Sequence, residues 1–165
     1  MPLSRPLRRA LPLVLGILLI AAACGPGNTM AADVATMVNQ LRGAHGMGQL
    51  PRRYELDLKA QAQADAMANA GTIFHSASLP SGVSPGWQLI GENVAMAGSI
   101  PAAEAALEAS PPHRENLLNP YFTEMGVGAT QRGNTVFVAQ VFVHAEPALP
   151  GPDAGSGTVP GHSHL

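Results

Sequence analysis

Two imidazoles and a carboxylate stand apart in an otherwise apolar, alanine-rich sequence: His75, Glu92 within Gly91-Glu92-Asn93, and His113 directly behind Pro111 and Pro112. Neutral nitrogen and anionic oxygen are ligands for a borderline divalent metal such as zinc or copper, at about 2.0 to 2.2 Å. Their wide separation is not in itself a metal motif, so a second reading stays open. In it Glu92 accepts hydrogen bonds from the histidines and ties loop, helix and sheet together. Ser110, three residues before His113, raises a nucleophilic reading that its context opposes. Serine followed by two prolines is a helix N-cap signature, with the hydroxyl expected to accept a backbone N–H, and Ser110 stands in no Gly-x-Ser-x-Gly elbow that would expose it.

Two function classes follow from these residues. In a hydrolase, Glu92 would act as general base on a metal-bound water held by His75 and His113. The sequence offers no evident oxyanion donor or dedicated acid beside them, so a non-enzymatic binding module is the favoured reading and the hydrolase the alternative.

The elements that position these groups are legible in part. Val34, Met37, Val38 and Leu41 recur at helical spacing until Gly43, Gly46 and Gly48 break the pattern. Leu56, Ala60, Ala64 and Met67 repeat with the same period before Gly71, which predicts a helix with a flat alanine face, a tight packing distance and a left-handed stop. Residues 72–93, with two prolines and Trp87, read as a long loop. A third helix is expected to open at Ser99 and Pro101, with Ala102, Ala105, Ala106 and Ala109 as its packing stripe. Two β-rich runs, 123–131 and 134–144, flank a turn in which Gly133 and Asn134 are expected to supply positive φ angles. The second run is apolar on both faces except at Gln140, so helices should cover it on both sides. The fold class expected is α+β, a three-layer α/β/α sandwich around a small antiparallel sheet.

The ends differ in character from the middle. Arg5, Arg8 and Arg9, an apolar run from Leu11 to Ile20 and three alanines precede Cys24, the anatomy of an export signal over residues 1–23. Cys24 is the sole cysteine and sits where a bacterial lipobox places the cysteine that becomes acylated, although Ala21 stands where leucine is usual. Membrane anchoring through an acylated Cys24 and free secretion after cleavage are the two outcomes this allows. Residues 24–30 read as a linker, 31–145 as the domain, and 146–165 as a Pro/Gly-rich tail whose His162 and His164 are a solvated end. Removing residues 1–23 takes away three of nine basic residues and none of eleven acidic ones, leaving a net charge of −5. Nucleic acid is excluded as a partner by that charge; an envelope protein or a small apolar ligand is not.

Taken together, Asn39-Gln-Leu-Arg42, Ala60, Ala64 and Met67, His75-Ser76, Gly91-Glu92-Asn93, Ser110-Pro-Pro-His-Arg-Glu-Asn-Leu-Leu-Asn-Pro, Phe122-Thr-Glu-Met-Gly-Val-Gly128 and Ala139-Gln-Val-Phe142 resemble the CAP superfamily. That superfamily, also called SCP, includes cysteine-rich secretory proteins, venom antigen 5 and pathogenesis-related 1 proteins. The resemblance implies a three-layer sandwich and a shallow cleft lined by two histidines and two glutamates, which holds a divalent metal in some members. His75, Glu92 and His113 fall on three of those four positions. The register of the fourth falls on Ser110; Glu108 is two positions away and is not assigned to it. Bacterial members commonly have Ser-Pro-Gly-His here, and Pro112 replaces that glycine. With one anionic ligand fewer, zinc or copper would be held weakly.

Overall fold

The computed structural model describes residues 26–145, with side chains from Thr29 onward. The export segment, Cys24 and the tail lie outside the described residues. The element order is α1 (Pro26–Ala44), α2 (Tyr54–Ala70), β1 (Trp87–Ala97), α3 (Ile100–Ala109), α4 (Pro111–Leu117), β2 (Glu124–Arg132) and β3 (Thr135–Ala145). Helix α1 begins at Pro26, so the last residues expected to be linker are its first turn. Among the described residues no helix is long and apolar enough to cross a membrane.

The three strands form an antiparallel sheet in the order β1-β3-β2. Central β3 is buried from Val136 to Val143, and its side chains alternate between two cores. Val136, Val138 and Phe142 pack with α1, α3 and α4, while Phe137, Ala139, Val141 and Val143 pack with α2. Each of these valines and phenylalanines removed from water contributes about 1.5 to 3 kcal/mol, which is why the two-sided apolar run predicted its own burial. The α/β/α layering expected from patterning is therefore observed.

Helix α2 closes as its sequence requires. Leu56, Ala60, Ala64 and Met67 are fully buried, and Gly71 takes the left-handed conformation at φ 72°, its N–H donating to Met67 O. The close approach comes from both sides. Opposite the alanine face lie Gly126 and Gly128 of β2, where an added Cβ would stand 2.0 Å from the Leu56 carbonyl carbon and 2.3 Å from the Gln61 nitrogen. At this distance α2 also caps the open edge of β2. Asp57 Oδ1 accepts from Val127 N at 2.9 Å and Gln61 Oε1 from Ala129 N at 3.3 Å, one helical turn apart.

Three expectations are corrected. Residues 87–93 are strand rather than loop, so Glu92 and Asn93 sit on β1 opposite Val141 and Gln140. In α3 the buried face is Ile100, Ala103, Glu104 and Leu107, while Ala102, Ala105, Ala106 and Ala109 are exposed. Alanine on every side gives no period, and the two large residues seven apart set the face instead. At the hairpin only Gly133 has positive φ, 59°, and Asn134 does not. Arg132 pairs with Thr135 across a two-residue loop, the pattern in which glycine is needed at the first central position alone. Ser99 caps α3 as expected, accepting from Ala102 N at 3.3 Å.

Candidate functional site

Glu92 lies on the α2 side of β1, and its neighbour Asn93, one residue on, points to the α3 and α4 side. The site is built around this pair. Gly71 ends α2 and turns the chain back, and Gln63 on α2 holds the returning segment by donating to Phe74 O. That places His75 and Ser76 over Glu92. The carboxylate, only 7% exposed, accepts from His75 Nδ1 at 2.9 Å, from Ser76 N at 2.9 Å and from Ser76 Oγ at 2.5 Å. A carboxylate is an acceptor, so His75 Nδ1 carries a proton, and Nε2 is the ring nitrogen left available on a side chain that is 58% exposed.

His113 arrives from the other layer. Ser110 occupies the N-cap of α4, with prolines in the first turn, but its hydroxyl makes no capping bond; fixed proline φ angles start the helix instead. The His113 ring stands 6.5 Å from that of His75, tilted by 35°. No ring nitrogen of His113 has a hydrogen-bond partner among the described residues. Burial, and then the neighbouring His75, hold its imidazole below the ordinary pKa of 6.5, which keeps it neutral and able to donate a lone pair at neutral pH.

The structure therefore joins His75 directly to Glu92 and sets His113 facing His75, with no bond between His113 and Glu92. Among the described residues no group of three or more His, Cys, Asp or Glu side chains is arranged to hold a metal ion. The pair of imidazoles is nevertheless close to a shared-ligand spacing. Two rings bound through nitrogen at about 2.1 Å each have centres about 5 to 6 Å apart, against 6.5 Å here. Glu92 accepts from His75 Nδ1 in the geometry by which a carboxylate orients an imidazole. Glu108 is turned elsewhere, accepting from Arg114 at 2.9 Å.

Residues that sequence reading did not assign complete the site. Ser76 and Gln63 fix the loop, and Asn93 latches α4: its Nδ2 donates to His113 O at 3.1 Å and its Oδ1 accepts from Asn116 Nδ2 at 2.9 Å. Behind Asn93, Gln140 Oε1 accepts from it at 3.1 Å, and Gln140 Nε2 donates to both oxygens of Glu104 at 2.9 and 2.8 Å. Gln140 was the one polar residue in the buried stretch of β3 from Val136 to Val143, and that exception was the available signal. A groove of about 440 Å³ between α2 and the loop is lined by Glu55, Leu58, Lys59, Gln63 and Ser76 and reaches the back of this arrangement.

Burial pushes the Glu104 carboxyl up to about 7, against the opposing effect of the Gln140 bond. Between its ordinary value of 4.5 and about 7 the folded chain holds a proton that the unfolded chain has released. Stability should therefore fall as pH rises through that window, by about 3 kcal/mol in all, and then level off. Urea denaturation of wild type and Glu104→Gln between pH 4.5 and 8.5 checks this: the difference between the two curves should carry the slope. A constant difference across the range would refute it.

Comparison with known proteins agrees with this architecture. The sequence profile of the cysteine-rich secretory protein family, CAP, matches residues 35–143, more than half of the chain. Among solved structures, an outer surface protein of Borrelia burgdorferi superposes with TM-score 0.63 at 19% identity, over 70% of this chain and 92% of that one. An extracellular protein of Bacillus anthracis containing an SCP domain superposes with TM-score 0.62 at 28% identity, over 71% of this chain and 41% of that one. A cysteine-rich secretory protein of Staphylococcus aureus gives TM-score 0.60 at 18% identity, over 73% and 40%. The chain thus spans about two fifths of the length of the latter two proteins. No curated protein matches the sequence. The helical layers, the β1-β3-β2 sheet and the family match over residues 35–143 together place the chain in the CAP family of cysteine-rich secretory proteins.

Proposed function

We propose that this protein is an exported, non-enzymatic binding module of the cell envelope, anchored through an acylated Cys24, whose His75/His113 pair takes a divalent metal weakly. The observation that carries this reading is the state of Glu92. Its two oxygens are engaged by three donors from His75 and Ser76, so it orients His75 instead of standing free as a base. His75 Nε2 and a ring nitrogen of His113 would hold the ion, and a bound ion would supply a positive, Lewis-acidic point at the surface. Glu92 would raise the basicity of His75 through the Nδ1–H bond, and Gln63 and Ser76 would hold the loop in register. Two neutral imidazoles with water completing the shell make a modest site. The outer-surface and extracellular descriptions of the Borrelia and Bacillus proteins support export, as does the basic, apolar and small-residue order of residues 1–23.

Calorimetric zinc titration of the chain with His162 and His164 changed to alanine tests the site without interference from the tail. One equivalent should bind, and the further change His75→Ala/His113→Ala should abolish it. Binding that survives the loss of both imidazoles would refute the site. For the anchor, mass spectrometry of the mature protein should find a lipid on Cys24; an unmodified free thiol there would refute it.

A further inference from the structure

From the buried side-chain network we infer that Glu104 is a remote positioning residue whose ionisation, relayed through Gln140 and Asn93, sets how α4 holds His113. This rests on the reading of the His75/His113 pair as the functional site. The relay is continuous and directional. Glu104, Asn93 and Gln140 are 7%, 0% and 0% exposed, and the links run from α3 to β3 to β1 to α4, where Asn93 meets the His113 backbone carbonyl and the Asn116 side chain.

The direction follows from which groups donate. An ionised carboxylate only accepts, so Gln140 must turn its NH2 to Glu104 and its Oε1 to Asn93. Asn93 must then donate to Gln140, and the same NH2 donates to the His113 carbonyl. Its Oδ1 is left facing Asn116 Nδ2, which also reaches Glu92 O at 3.4 Å. Among the described residues no buried side-chain nitrogen or oxygen is left without a partner in this arrangement. A protonated Glu104 needs an acceptor for its O–H, and among the described residues Gln140 is the only side chain hydrogen-bonded to its carboxyl. Turning Gln140 Oε1 toward Glu104 sets Nε2 against Asn93 Nδ2, donor against donor. Turning Asn93 as well sets its Oδ1 against the His113 carbonyl and its NH2 against that of Asn116. Protonation therefore strains the latch at residues 113 and 116 of α4, whichever amide moves.

The trigger is isolated from other charges. The titratable groups on the elements packed around α3 are Asp33 and Arg42 on α1, Glu92 on β1, His113, Arg114 and Glu115 on α4, and His144 on β3. Neither these nor Glu108, one turn along α3, is hydrogen-bonded to Glu104 among the described residues, and burial, opposed by the Gln140 bond, raises its pKa. Arg42 is held by the carbonyls of Gly48, Leu117 and Asn119, and Arg114 by Glu108 and His45.

NMR of the full chain carrying His75→Ala/His113→Ala tests the relay with the site imidazoles removed and no metal present. The Asn93 side-chain amide and the Arg114 backbone amide should titrate together between pH 5 and 9, with one midpoint near that of the Glu104 carboxyl carbon. Adding Glu104→Gln should abolish the titration while the spectrum stays dispersed. If that variant does not fold, Gln140→Leu serves: Glu104 should still titrate and the Asn93 signals should stop responding. Asn93 signals that are flat with pH, or that titrate unchanged without Glu104 or Gln140, would overturn the inference. Zinc titration of the parent chain is read separately. Absent zinc binding with an intact relay sinks only the metal reading, and a flat relay with zinc bound sinks only this one.

Discussion

Alanine at Gly128 or Gly126 is expected to destabilise the fold by more than about 3 kcal/mol, the upper part of the range for overpacking. The contacts decide this. A Cβ on Gly128 would stand 2.3 to 2.4 Å from Gln61 N, Ala60 C and Gln61 Cα, and one on Gly126 2.0 to 2.4 Å from Leu56 C, Leu56 Cβ and Asp57 N. These are almost all backbone atoms of α2, which no rotamer change can move aside. The helix must lift as a body, which breaks the Asp57 and Gln61 caps on β2 and opens a void along Leu56, Ala60 and Ala64. Thermal melts should show a fall of about 10 °C or more for either variant. Gly43→Ala is the control: nothing lies within 4 Å of its added Cβ, and alanine in the last turn of α1 should be neutral or stabilising by up to about 1 kcal/mol. A Gly128→Ala protein that melts with wild type would mean that α2 is not seated on β2.

Changing Glu92 to alanine should cost about 3 kcal/mol and lower zinc affinity about 10- to 100-fold at once. One carboxylate serves both ends. It holds the Ser76 N–H and hydroxyl, which fixes the loop against β1, and it holds His75 Nδ1–H, which fixes the tautomer and aims Nε2 outward. Glu92→Gln should fall between wild type and alanine, since its NH2 meets donors where an oxygen met them. A general-base role predicts the opposite division: Glu92→Gln would abolish turnover of a peptide or ester substrate and leave zinc affinity unchanged. Denaturation and calorimetry on the two variants separate these accounts. Unchanged zinc affinity in Glu92→Ala would contradict the orienting role.

How much of this the sequence revealed depended on how local each determinant was. Helix α2 was legible because its period, its alanine face and its glycine stop all lie within one short stretch. Strand β3 was legible because burial on both faces leaves a nearly unbroken apolar run. Strand β1 was not: Gly91, Glu92 and Asn93 interrupt it, and they sit there because β1 is the strand that presents polar groups to both helical layers. The face of α3 was misread for a related reason, since a glutamate in an alanine-rich helix reads as solvated until Gln140 is placed opposite it. Of the site, His75, Glu92 and His113 were singled out by type and by family resemblance. That Glu92 grips His75 and Ser76, and that His113 is held through its carbonyl by Asn93, depends on pairings 16 to 20 residues apart, which no local pattern records.

If Glu92 orients and the two imidazoles bind, zinc should lie between the rings. Anomalous diffraction at the zinc edge from crystals of the chain soaked in zinc tests it most directly. One peak is expected between His75 Nε2 and a ring nitrogen of His113, with the Glu92–His75 Nδ1 bond still in place. A peak ligated by the Glu92 carboxylate, or no peak between the rings while zinc binds elsewhere, would contradict it.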